Sequence, residues 1–211
     1  LRSDRTDRLV RSAVFGENDE REYARWLLWE IGQSVGVRPA SIHDLYMARG
    51  RGEVRGFTVP AINVRGMAYD TARAIFRTAI RLKAGAFILE IARSEIGYTE
   101  QRPAEYVTVM IAAALREGFR GPLFIQGDHF QVNAKKWAAD PRTEVDAVKA
   151  LVCEAVAAGF YNVDIDTSTL VDLKQATLSE QQRRNYEVGI DILRTVREAQ
   201  PKGVTISVGG E

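Results

Sequence analysis

The residues best equipped for chemistry are Asp128 and His129, which stand side by side near the end of the run Gly121-Pro-Leu-Phe-Ile-Gln-Gly-Asp-His-Phe-Gln131. A carboxylate next to an imidazole supplies a metal ligand and a proton carrier within one dipeptide. Successive side chains of a strand point to opposite faces, so the pair is expected to divide these two tasks. An isolated Asp-His dipeptide more often means a loop cap and a hydrogen-bonded surface histidine, so the other strand ends must decide. The first strand offers Asn63, the second Glu90 and, slightly beyond it, Ser94. The fourth offers Asp166 with Ser168, and the fifth Glu211. Polar residues at so many carboxyl ends are expected of a barrel enzyme and not of a structural sheet. His, Asp and Glu together suit a divalent metal such as zinc.

The elements that must carry these residues follow a regular rhythm. Short apolar strands are expected at Pro60–Val64, Gly85–Ile91, Pro122–Gln126, Tyr161–Asp166 and Val204–Val208. Between them lie helical patterns, among them Ala72, Ile75, Phe76, Ala79 and Leu82, and later Val107, Met110, Ile111, Ala114 and Leu115. Asp140-Pro141 and Ser179-Glu-Gln-Gln182 are helix starts, the first preceded by a long loop from Phe130. Nearly continuous apolar strands alternating with helices predict a parallel sheet. No GxGxxG turn follows the first strand, which counts against a dinucleotide-binding fold. The expected fold is α/β, a (β/α)8 TIM barrel of which the chain carries about the first five units. Residues 51–211 form that barrel portion, incomplete at its C-terminal end, and residues 1–50 a helical extension. In the extension, residues 1–18 read as a frayed arm or short helix, Asp19 to Ser34 as a helix ended by Val35–Pro39, and Ser41 to Ala48 as another.

Bulk properties narrow the classes. The chain has 211 residues, 45% hydrophobic and 27% charged, enough for one sizeable core. A net charge of +1 makes no electrostatic case for nucleic acid. No apolar run approaches a membrane span, and the charged start does not read as a signal peptide. Cys153 is the sole cysteine, which excludes an internal disulfide and fits a reducing, cytoplasmic setting; among Val148, Leu151, Val152 and Val156 it is expected to be buried.

With these residues in view, Phe57 to Glu211 resembles the class II, metal-dependent fructose-bisphosphate aldolases. The likeness rests on Pro60-Ala-Ile-Asn-Val64, on Gly127-Asp-His129, on Ala158-Gly-Phe-Tyr-Asn-Val-Asp-Ile-Asp-Thr-Ser168, and on Val208-Gly-Gly-Glu211, where the family has a Val-Glu-Ala-Glu-like motif. It implies that Asp128 is the acid/base carboxylate and His129 a zinc ligand. Asp166 lies near the metal, Glu211 is associated with it, and Asn63 and Ser94 contact substrate. It further implies zinc or another divalent metal, a phosphorylated ketose substrate and a homo-oligomer, dimer or tetramer. The reaction would be reversible cleavage of fructose 1,6-bisphosphate to dihydroxyacetone phosphate and glyceraldehyde 3-phosphate, the work of a metal-dependent aldehyde-lyase.

Three departures stand out. The family usually has an apolar residue before Asp-His and often glycine after it, where this chain has Gly127 and Phe130. Gly209 replaces the first glutamate of the strand-five pair. The family also takes two further histidines and a glycine-rich phosphate site from later strands, whereas only His43 and His129 occur here. His43 reads as a surface residue. Gly-Asp-His followed by Asn133 and Trp137 is also similar to the accessory subunit of tagatose-bisphosphate aldolase, so a non-catalytic barrel subunit is the alternative, with an aldolase for another ketose phosphate beside it. Schiff-base chemistry would need a barrel lysine, and none of the five expected strands has one. Lys135, Lys136 and Trp137 follow His129 in a loop that either closes over a phosphate or is simply solvated.

Overall fold

A computed structural model describes residues 2–211. Two helices open it, α1 (Asp4–Phe15) and α2 (Asn18–Val35), followed by the short strand β1 (Val37–Ala40) and α3 (His43–Gly50). The alternation then runs β2 (Ala61–Asn63), α4 (Ala68–Leu82), β3 (Ile88–Ala92), α5 (Arg93–Thr99) with α6 (Pro103–Glu117), and β4 (Gly121–Gln131). It continues through α7 (Ala134–Ala139), α8 (Pro141–Ala158), β5 (Asn162–Asp166), a 3-10 turn (Ser168–Leu170), α9 (Leu178–Ala199) and β6 (Ser207–Gly210). Strands β2 to β6 form one sheet in chain order, and β1 pairs with the beginning of β4. Every pairing is parallel, so all carboxyl ends lie along one edge. Among the described residues no helix is long and apolar enough to cross a membrane.

Three local features were not expected. Strand β1 occupies residues that read as a helix terminus. Gly36, at φ +81°, closes α2, and Val37–Ala40 then pair with Gly121–Phe124. Pro39 is tolerated because β1 is a short edge segment. The supposed loop after His129 contains α7, whose start is fixed by Asn133: its side-chain oxygen accepts the Lys135 and Lys136 amides, each at 3.0 Å. Cys153 is exposed, because it falls on the outer side of α8 while Val148, Val152 and Val156 face inward.

The strands are also less uniformly apolar than expected. Asn63, Glu90, Gln126 and Asn162 lie in one register row across β2, β3, β4 and β5. Asp164 and Asp166 share the Asn162 side by strand periodicity. Leu89, Ile91, Ile125, Val163 and Ile165 point the other way and join the apolar cluster beneath the helices. That cluster includes Val10, Ala13, Ala24, Leu28 and Val37, so the first helices share one core with the sheet. Asn162 is fully buried and joins three strands. It accepts the Ile42 N–H (2.8 Å) and donates to the Ala40 and Ile125 carbonyls (3.1 and 2.9 Å).

Candidate functional site

The site is built around an irregularity in β4. Gly127 pairs with Val163, but Phe130 pairs with Ile165, so β4 carries one extra residue over this stretch. Such a bulge re-aims side chains, and here His129 takes a left-handed backbone, φ +41°. The expected division of Asp128 and His129 onto opposite faces is therefore corrected. The two are hydrogen-bonded, His129 Nδ1 donating to Asp128 Oδ1 at 2.7 Å.

The bulge also explains the departures flanking the dipeptide. Phe130 is turned into the core, fully buried, with its ring over Gly127. A Cβ at residue 127 would sit 2.5 Å from Phe130 Cζ, a clash no ring adjustment of a few tenths of an ångström relieves. Gly127 and Phe130 are thus one paired feature. Gly209 has a similar reason: a Cβ there would lie 2.7 Å from Asp164 Oδ1. The space of a glutamate stem is taken by the Asp164 carboxylate.

Around His129 the strand ends converge. Its Nε2 lies 3.2 Å from Glu211 Oε1, beyond the tip of β6. Ligand atoms of His129, Asp166 and Glu211 all fall within 4.8 Å of one another, and so do those of Asp128, His129 and Asp164. Asp166 is buried and partly committed. It accepts from the Ser168 N–H (3.0 Å), the Ser168 hydroxyl (2.7 Å) and the Gln131 amide. A carboxylate has about four lone-pair sites, so one remains for a metal.

The charges shift one another. Burial alone would lower the His129 pKa, but the hydrogen bond and charge of Asp128, then Glu211 and Asp164, outweigh it and raise it. Burial raises Asp164, reinforced by Glu211 and opposed by His129. Glu90 is pushed up to about 7, first by burial and then by Asp128 and Asp164. Its Oε2 accepts from Gln126 Nε2 at 3.0 Å.

The donor set fits a cation. His129 has Nδ1 held by the Asp128 carboxylate, the arrangement that fixes the tautomer of metal-binding histidines, while Nε2 faces Glu211. With Asp166 and Glu211, His129 offers three protein ligands, the number that catalytic zinc sites use. His43 does not belong: it lines a recess with Pro39, Ser41 and Tyr161, beside the start of β5. A three-histidine site is therefore not formed within this chain.

Asn63 and Ser94 supply none of these ligand atoms. Asn63 donates to Glu95 Oε2 (2.7 Å) and accepts from Arg65 (3.2 Å). Glu95 also accepts the Ala92 N–H at 2.9 Å and an ion pair from Arg65. Ser94, at the start of α5, lines an open recess of about 630 Å³ whose wall includes His129 and Gln131. Asp164 and Gln131 were not singled out from sequence. The signal for Asp164 was present, in the polar alternation of Asn162, Asp164 and Asp166.

No family model matches the chain, and no curated protein matches it. Among solved structures, a probable tagatose 6 phosphate kinase from Sinorhizobium meliloti 1021 superposes with a TM-score of 0.52 at 21% identity. The match covers 69% of this chain and 37% of that one. Such a likeness bears on the fold, an α/β arrangement with a parallel sheet.

Proposed function

We propose that this chain carries part of the active site of a metal-dependent aldolase acting on a ketose phosphate, with fructose 1,6-bisphosphate the first substrate to test. The observation that supports the reading is the bulge of β4, beside which His129 meets Asp166 and Glu211 on one side and Asp128 and Asp164 on the other. A fold of parallel strands with its polar groups at their carboxyl ends, closed into a (β/α)8 barrel, is the setting such an enzyme uses. The superposed structure's name, a probable tagatose 6 phosphate kinase, points to a sugar phosphate but to a kinase and not a lyase; it makes a tagatose phosphate the second substrate to try.

A divalent metal, zinc by preference, would be held by His129, Asp166 and Glu211; when bound it supplies Lewis-acid stabilisation of negative charge on the ketone oxygen. The chain's own residues do the remaining work. Asp128 holds Nδ1 of His129, which keeps Nε2 directed at the metal position. Aldol cleavage also requires removal of the C4 hydroxyl proton and its return in the reverse direction. Asp128 takes that proton through the oxygen it does not share with His129. Gln131 and Ser168 fix the Asp166 carboxylate. Asp164 occupies the space beside Gly209 and adds negative charge that favours a cation.

The test is cleavage of fructose 1,6-bisphosphate by the purified protein, with and without chelator. Activity abolished by chelation and restored by zinc is expected. Chelator-insensitive cleavage would contradict the reading. Tight association with a second protein that supplies all the activity would favour the accessory-subunit alternative.

A further inference from the structure

The recess beside His129 has a composition that the metal group does not explain. It opens between α5, α7 and α8, outside the sheet, and its volume of about 630 Å³ is in the usual range for small-ligand sites, roughly 300–1,000 Å³. Its polar wall is dominated by donors: Ser94, Gln131, Asn133, Arg93, Arg102 and Lys136. Two of these cations are already balanced. Arg93 holds Glu144 at 2.5 Å and the Gln131 carbonyl at 2.6 Å, while Arg102 holds Glu154. Lys136 makes no direct ion pair among the described residues; its charge acts at longer range on Glu144, which Arg93 already holds. The Asn133 cap holds the Lys136 backbone amide and so sets the turn from which its exposed side chain projects. The sole carboxylate in the wall, Glu154, is the one Arg102 covers. The floor is kept open by small side chains, with Gly97, Ala147 and Ala150 facing the space.

We propose that this recess binds the phosphate-bearing arm of a short polyhydroxylated substrate, with Lys136 as its anion contact. The inference rests on the reaction proposed above for orientation, since His129 lies in the same wall and the substrate's reacting end would face it. The chemical case is independent. A phosphate monoester presents only acceptors and about two negative charges, which matches a donor-lined cavity with one unpaired ammonium. The amide of Gln131 connects this wall to Asp166, so phosphate in the recess and the metal group address one molecule from two sides.

The test uses the full chain with chelator present, so that metal plays no part. Binding of glycerol 3-phosphate, inorganic phosphate and glycerol is followed by titration calorimetry and by shifts of the Ser94, Gly97 and Ala150 amide resonances. Glycerol 3-phosphate is expected to bind saturably and glycerol not to bind. Lys136→Glu should weaken glycerol 3-phosphate about tenfold or more, the loss expected for a charge-assisted contact. Ala150→Trp should do the same by filling the space; residue 150 is exposed on α8, so the fold tolerates it. Lys135→Glu makes the same charge change on an exposed neighbour outside the recess and should leave affinity within about twofold. Equal losses in Lys135→Glu and Lys136→Glu, full binding in Ala150→Trp, or no saturable binding would overturn the assignment. Phosphate binding without any aldol cleavage would keep the recess and remove the reaction. Cleavage whose KM ignores both Lys136→Glu and Ala150→Trp would keep the reaction and remove the recess.

Discussion

Replacing Gly127 with Ala tests whether the β4 bulge is held by the packing of Phe130. The new Cβ would stand 2.5, 2.6 and 2.9 Å from three atoms of the Phe130 ring. Ordinary contact begins near 3.4 Å, so the ring or the strand must move by almost an ångström. Overpacking of a closed core costs about 1–3 kcal/mol, and Gly127→Ala is expected to destabilise by that amount. Phe130→Ala alone should cost about 3–5 kcal/mol, because a fully buried ring is lost. In the double variant the clash no longer exists. The combined loss should therefore fall short of the sum by about 1–3 kcal/mol, a coupling that a double-mutant cycle resolves. Urea denaturation of the four proteins, with slopes compared to confirm two-state behaviour, supplies the values. Strict additivity would mean that Gly127 and Phe130 do not pack as a pair, and the account of the bulge would fail with it.

Other outcomes follow from the same geometry. Asn162→Ala strands the Ile42 N–H and two carbonyls in a buried position and should cost about 3 kcal/mol or more by urea denaturation; a loss under 1 kcal/mol would contradict its role. Glu117 is held down to about 2, first by hydrogen bonding to Arg77 and then to Arg73. Its contribution is complete above pH 4.5 and lost as pH falls toward 2, about 1–2 kcal/mol after allowance for the exposed Arg77, so Glu117→Gln should flatten the acid limb of the stability curve. Glu90 has the opposite sign: with its pKa raised to about 7, the metal-free protein should lose stability as pH rises from 4.5 to 7. Glu90→Gln should reduce that decline, and an unchanged slope would count against the half-buried carboxyl.

Much of this architecture was legible in the residues, for definite physical reasons. The β/α rhythm shows because helices such as α4 repeat their buried positions, Ala68, Ala72 and Phe76, on one face. The strand end at Asp166 could be read because polar residues interrupt an apolar run, whereas the strand expected to stop at Gln126 continues past Asp128 to Gln131. Strand β1 escaped notice because only Val37 and Ala40 flank Arg38-Pro39, too little pattern to distinguish a strand from a helix end. The bulge was invisible for a deeper reason. Register belongs to a pair of strands, and nothing in Gly127–Phe130 alone says that β5 offers one residue fewer. That single offset moved His129 onto the Asp128 side and turned two departures, Gly127 and Phe130, into one packing unit. Ser94 and Asn63 illustrate the other limit: both occupy expected strand ends, but the contacts of Asn63 run to Glu95 and Arg65.

The most direct test of the central claim is X-ray absorption of the zinc-loaded protein, compared with His129→Ala. The account predicts one bound zinc with a single imidazole and oxygen ligands, at about 2.0–2.2 Å, and loss of the imidazole signal with weakened binding in His129→Ala. A protein that takes up no zinc, or a zinc environment identical in His129→Ala, would contradict it.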